Sequence, residues 1–221
     1  MGASIALLTA ASILATGTAE AQTALPATAF MGVFRAVPDG VVLPGGLRNS
    51  GDLATLKGLP APPPVDGEVA PDALKSCLPI GPFRMMARAG TKIELAPTRG
   101  QIVMLFEDTS HGYLRAIHLD RGHPDKLEPS WMGDSTGVLD AGGLTIDTVG
   151  FDDMTWLNDQ GARHGPALHL VERVEPILDG RYLAYRVTAT DPKALKAPFV
   201  YVRYYQKLDS EIAENNCQIE D

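Results

Sequence analysis

The chain is short of the residues that mark the commonest functional classes. Only two cysteines occur, Cys77 and Cys217; no Cys-x2-Cys knuckle can be built from them, and no His-Glu-x2-His pattern stands in its place, so no bound metal is expected. Basic residues are outnumbered, 19 Lys and Arg against 27 Asp and Glu, for a formal net charge of −8. That balance excludes nucleic acid and an anionic membrane surface as partners, because both demand a basic patch. No glycine cluster lies between a strand and a helix, which excludes phosphate loops and dinucleotide fingerprints, and no cofactor is expected. "SWMGDSTG" sets Ser135 beside Asp134 but lacks the Gly-x-Ser-x-Gly elbow of a hydrolase nucleophile. Histidine is absent outside residues 111–169, where His111, His118, His123, His164 and His169 crowd together. A site that needs groups titrating near neutral pH is one reading of that crowding, and chance is the other.

What is present begins with an apolar run over residues 5–15, followed by Ala19-Glu20-Ala21, the small-x-small pattern of a signal-peptidase site. Cleavage is expected after Ala21, although no Lys or Arg precedes Arg35 to supply a positive leader end. The run is too short to span a bilayer and no other stretch approaches about 18 apolar residues, so no transmembrane segment is expected after cleavage. The mature protein reads as exported and acidic, periplasmic or secreted. In that compartment Cys77 and Cys217 can form a single disulfide tying the main domain to its tail, the alternative being two unpaired thiols.

With 221 residues, 45% of them hydrophobic, the chain can bury one sizeable core. Residues 22–82 are punctuated by Pro and Gly, densest in "LPAPPPVDG", and read as an extended arm wrapped over the domain, with a short strand at "MGVFRAV". From Thr91 the texture changes to strand-length runs bounded by turn residues: "TKIELAPT", "GQIVMLFED", "YLRAIHLD", "STGVLDAGG", "LTIDTVGF", "ALHLVERVEPI", "RYLAYRVTATD" and "FVYVRYYQKL". "LDAGGLT" and "LDGRYL" carry the chemistry of tight hairpins. No helical periodicity is sustained beyond a turn near residues 191–196. The fold class is all-β: residues 83–221 are expected to form an antiparallel, lipocalin-like or calycin-like barrel, since closure removes exposed edges. In "FVYVRYYQKL" neither face is purely apolar or purely polar, as on strands that line a ligand-holding lumen, or simply because aromatics favour strands.

Several segments carry a family likeness. "GQIVMLFE", "PSWMGDSTG", "LTIDTVGFDDMTWLNDQGARHGPALHLVER" and "TATDPKALKAPF" resemble a large group of exported bacterial proteins that share a Pro-Thr-Trp-Met-Gly turn, Asp-Thr-x-Gly-Phe, Thr-Trp-Leu-Asp and Pro-His-Ser…His…Glu-Arg. The likeness covers residues 77–199. It maps onto Cys77, Met85, Met86, Arg115, Asp120, Trp131, Gly133, Ser135, Asp147, Gly150, Phe151, Trp156, His164, His169, Glu172 and Arg173. Departures are His118 in place of Tyr, Asp134 in place of His, a shortened "LDRGHP" and Leu139 in place of Trp. Exchanging Tyr for His and His for Asp at site positions implies retuned acid–base chemistry or a changed substrate.

Candidate site residues follow from these patterns. His164, in a loop before a strand, is placed to point into a barrel mouth, where functional groups gather. His169 lies inside the next strand and is read as ligand-facing or as a satisfied structural histidine. Arg115 and His118 are three apart on a strand and face opposite ways. Arg115 is either a carboxylate fork or half of an internal salt bridge to Asp120, Asp147 or Glu172. Adjacent Glu172 and Arg173 also diverge. Trp131 and Trp156 either plug a barrel end or stack on an aromatic ligand. By analogy with small barrels that decarboxylate phenolic acids, His164 and Asp134 are the acid–base pair, with His118 beside them. Arg115 or Arg173 then anchors a carboxylate, and Tyr201 and Trp156 are walls. The implied activity is that of a cofactor-independent lyase, a decarboxylase, eliminase or isomerase acting on a small hydrophobic, aromatic, carboxylate-bearing compound. The competing class is a non-catalytic small-molecule binding or envelope-associated protein.

Overall fold

The computed structural model describes residues 27–59, 77–107 and 112–213. The expected signal peptide, residues 1–21, lies outside them, as does Cys217 and with it the expected bridge to Cys77. Nine strands form a closed barrel: β1 (Gly32–Ala36), β2 (Lys92–Thr98), β3 (Gln101–Glu107), β4 (Gly112–His118), β5 (Asp134–Asp140), β6 (Gly143–Val149), β7 (His169–Ile177), β8 (Tyr182–Thr190) and β9 (Phe199–Leu208). Each run of strand length in the sequence becomes one stave. None of the helices among the described residues is long and apolar enough to cross a membrane.

Two features depart from a simple antiparallel barrel that starts at residue 83. First, the arm supplies a stave: β1 pairs antiparallel with β2 (Phe34 with Ile93) and with β9 (Ala36 with Tyr205), and so closes the ring. Without it both neighbours would present unpaired edges. Second, β4 and β5 run parallel, Ile117 beside Ser135 and His118 beside Thr136. Parallel neighbours need a crossover of a dozen or more residues, and residues 119–133 provide it. That crossover brings His123 onto the outer face of β5 and β6.

Strand alternation fills the interior. Ile102, Met104 and Phe106 of β3, Leu144 and Ile146 of β6, and Leu183, Tyr185 and Val187 of β8 are all 1% exposed or less, each large side chain contributing roughly 1.5–3 kcal/mol by its burial. A one-turn helix, α1 (Pro82–Met85), plugs the barrel with Phe83, Met85 and Met86. The carbonyls at its C-terminal end are taken by β9: Tyr201 Oη donates to Phe83 O (2.6 Å), Tyr205 Oη to Met86 O (2.6 Å) and Arg203 Nε to Ala87 O (3.3 Å), which satisfies groups a helix end leaves open.

The mixed character of β9 has a direct cause. Its inner face holds Tyr201 and Tyr205, whereas outward Val202 and Tyr204 are covered by Val37 and Leu43 of the arm. Asn49 fastens that cover, its Nδ2 donating to Val37 O (2.9 Å) and its Oδ1 accepting from Tyr204 N (3.0 Å). Both faces are therefore buried over residues 201–205.

Candidate functional site

The centre of the barrel holds an ion pair. Inward parity on β4 and β7 aims Arg115 and Glu172 at each other, 2% and 0% exposed. Arg115 Nη1 donates to Glu172 Oε1 (2.8 Å), Nη2 donates to Glu172 Oε2, Nη2 also reaches Thr148 Oγ1 (2.6 Å), and Nε reaches Ser135 Oγ (2.9 Å). Tyr185 Oη adds a 2.5 Å hydrogen bond to Glu172 Oε1. Burial opposes the charge on Arg115, and the facing carboxylate outweighs it, so its pKa lies above the ordinary value. Burial also pushes the Tyr185 and Tyr201 hydroxyls well up, keeping both protonated. Nearly all of the guanidinium's five donors are spent on protein, which leaves Arg115 no fork for a substrate carboxylate. Of the two readings of Arg115, the structure gives the internal bridge, with Glu172 as partner. Tyr201 is likewise core: fully buried and packed edge-on to Phe83 at 5.1 Å.

His164 is 2% exposed. Its Nδ1 donates to Gly165 O (2.9 Å), so its Nε2 accepts from the Thr155 hydroxyl (2.7 Å), and Phe151 lies edge-on at 6.0 Å. Burial lowers its pKa, and the ring is neutral. Both nitrogens are consumed inside the 150–168 loop. His164 and Asp134 share no partner, so the expected acid–base pair is not assembled. Asn158 organises the same loop: its Nδ2 donates to Leu53 O (2.9 Å) and Leu56 O (3.1 Å), and its Oδ1 accepts from Gln160 N (3.0 Å) and Ala162 N (2.9 Å). The Leu59–Arg163 bridge completes the attachment of the arm.

Two of the five imidazoles, His123 and His169, meet on one carboxylate on the outside. Outward parity puts His118 on β4, Asp134 and Thr136 on β5, Asp147 on β6 and His169 on β7 along one surface, and the crossover lays His123 over it. Arg121 Nη2 donates to Asp134 Oδ2 (2.6 Å), and His123 Nδ1 to Asp134 Oδ1 (2.6 Å). His123 Nε2 donates to Asp147 Oδ1 (2.9 Å), and His169 Nε2 to Asp147 Oδ2 (2.7 Å). Hydrogen-bond donors and carboxylates alternate along this line. His123 donates from both nitrogens and is an imidazolium: burial works against its charge, but Asp134 and Asp147 raise its pKa above the ordinary value. Partial burial acts against the charge of the two carboxylates as well; the hydrogen bonds they accept, from Arg121 and His123 on Asp134 and from His169 and His123 on Asp147, outweigh it and hold both pKa values down.

The remaining expected residues are spread elsewhere. Arg173 points outward, as its parity with Glu172 requires, and forks onto Asp140 at 2.7 Å from both Nη1 and Nη2. His118 bonds Gln101 at 3.1 Å, beside Thr136. Trp131 packs partly buried against the core, and Trp156 carries the Arg84 guanidinium 5.8 Å above its ring; neither Trp joins the histidine line. His111 lies outside the described residues. His123 and Arg121 were missed as partners because their loop has no periodicity to place it. Asp147, read from the sequence only as a possible partner of Arg115, instead meets His123 and His169; its place on the same outer face as His169 of the neighbouring strand was the signal that could have paired them. Among the described residues, no group of three or more His, Cys, Asp or Glu is arranged to hold a metal ion. No protein-family model matches the chain, and a search of curated proteins finds none similar to it.

Proposed function

We propose that the chain is an exported acid–base protein that works on the outer face of β5, β6 and β7, with His169 as the exchangeable imidazole and Asp147 as the carboxylate that orients it. The supporting observation is the 2.7 Å bond from His169 Nε2 to Asp147 Oδ2 on a side-chain pair 38% and 41% exposed. That bond fixes the tautomer and leaves Nδ1 as an open base, the arrangement that Asp–His pairs use in proton transfer. The imidazolium of His123 on the other Asp147 oxygen holds the carboxylate ionised. The chemistry is cofactor-independent proton transfer, in elimination, isomerisation or decarboxylation, on a small aromatic compound bearing a carboxylate. Export with cleavage after Ala21, a Cys77–Cys217 disulfide and membership of the exported bacterial group belong to the same reading.

A second reading is binding without turnover at a surface cleft, since the barrel interior is filled by its own side chains. Incubating the mature chain with a panel of phenolic and cinnamic acids, followed by chromatography, separates the two. Turnover that disappears in His169→Gln and survives in His164→Gln supports acid–base catalysis on the outer face. Recovery of every compound unaltered, or turnover that persists in His169→Gln, sinks it in favour of the binder.

A further inference from the structure

The β8–β9 loop and the arm enclose a cleft of about 520 Å3 whose composition runs against that of the whole chain. Its apolar lining comes from Leu56, Leu195 and Phe199, and Lys57, Lys193 and Lys196 also line it. Among the described residues no Asp or Glu lines it, although acidic residues outnumber basic ones 27 to 19 overall. All three lysines are exposed, and none is in an ion pair among the described residues. Asp191, two residues from Lys193, is 2% exposed and already committed. Its Oδ2 accepts from Gly165 N (2.6 Å), and its Oδ1 accepts from Lys193 N (2.9 Å) and Ala194 N (3.1 Å).

Both walls are held before any ligand arrives. Asp191 ties the β8–β9 loop to the 150–168 loop through Gly165. Asn158 of that same loop holds the carbonyls of Leu53 and Leu56. Gly58, at φ +57, lies so close to Arg163 that a Cβ would meet its N and O at 2.6 Å, so the arm is seated by backbone contact. Pre-formed walls of this kind lower the ordering cost of binding.

We propose that this cleft binds a small amphipathic carboxylate, its hydrocarbon body on Leu56, Leu195 and Phe199 and its anionic head among Lys57, Lys193 and Lys196. The volume is within the range of small-ligand sites. An ammonium cluster with no carboxylate among its described neighbours favours an anion by Coulomb attraction, weakened by salt because the lysines are exposed. The site shares no residue with the His–Asp array and stands whether or not that array turns anything over.

The test is calorimetric titration of the full mature chain with octanoate and with trans-cinnamate, which distinguish an alkyl-chain source of the ligand from an aromatic one. Octanamide and inorganic phosphate are the controls. Saturable one-to-one binding of either acid is expected, with the amide and phosphate at least about tenfold weaker. The variant K57Q/K193Q/K196Q changes only exposed side chains; it is expected to lose at least about tenfold in affinity and the salt dependence with it. Three results overturn the proposal: no saturable binding of either acid below a Kd of about 1 mM, unchanged affinity in the triple variant, or phosphate binding as tightly as the acids.

Discussion

Glu172→Gln is the most informative single change in the barrel. It is nearly isosteric, so it leaves the packing alone and removes one charge. Arg115, 2% exposed, then keeps its guanidinium in the core with only Ser135, Thr148 and an amide oxygen around it. Breaking a buried pair by removing one partner costs about 3–5 kcal/mol, chiefly because the other charge is left uncompensated. Arg115→Met is expected to cost a similar amount by stranding Glu172. The triple change Arg115→Met, Glu172→Leu and Tyr185→Phe removes both charges and the hydroxyl that bonds Glu172, so it should cost less than either single change, by roughly 2 kcal/mol or more. Urea unfolding at one pH, followed by the fluorescence of Trp131 and Trp156, measures all of these. Additive costs across the series, or a Glu172→Gln cost below about 1 kcal/mol, would refute the account of the pair.

Three further outcomes are expected. The two bonded histidines should give opposite pH slopes: His123, with its pKa raised, contributes stability that is present below the unfolded value of about 6.5 and lost as pH rises through its folded value. His164, with its pKa lowered, costs stability as pH falls below about 6.5, because the unfolded chain takes up a proton the buried ring refuses. Wild type, His123→Gln and His164→Gln unfolded between pH 5 and 8 check the signs. Gly58→Ala forces a left-handed backbone onto a residue with a Cβ and should cost about 1–3 kcal/mol, read as a lower melting temperature and faster proteolysis of the arm. Deleting residues 22–58 removes β1 and uncovers Val202 and Tyr204, so the shortened chain should elute as aggregates on size exclusion; a stable monomer would contradict the role given to the arm.

The staves were readable because each apolar run is short, alternating and bounded by Gly, Pro or Asp. The exact parity of Arg115, His118, Glu172 and Arg173 followed from the same period of two. Their partners did not follow. Which acid meets Arg115 depends on how β4, β6 and β7 are set around the ring, and that setting is created by the parallel β4–β5 step, a long-range event no local pattern announces. The mixed faces of β9 pointed toward a ligand chamber because an outer face covered by the chain's own arm has the same composition as a lumen. His164 looked available because it sits in a loop, yet that loop is itself packed, and the Thr155 hydroxyl and Gly165 carbonyl absorb both ring nitrogens.

The meeting of β1 with β9 also governs how the molecule comes into being. The first stave and the last are joined across most of the chain, so the ring cannot be finished until the final strand is available. Until then every partly assembled form has two bare edges and an open seam, which makes assembly slow and favours whatever shields the unfinished chain from its neighbours.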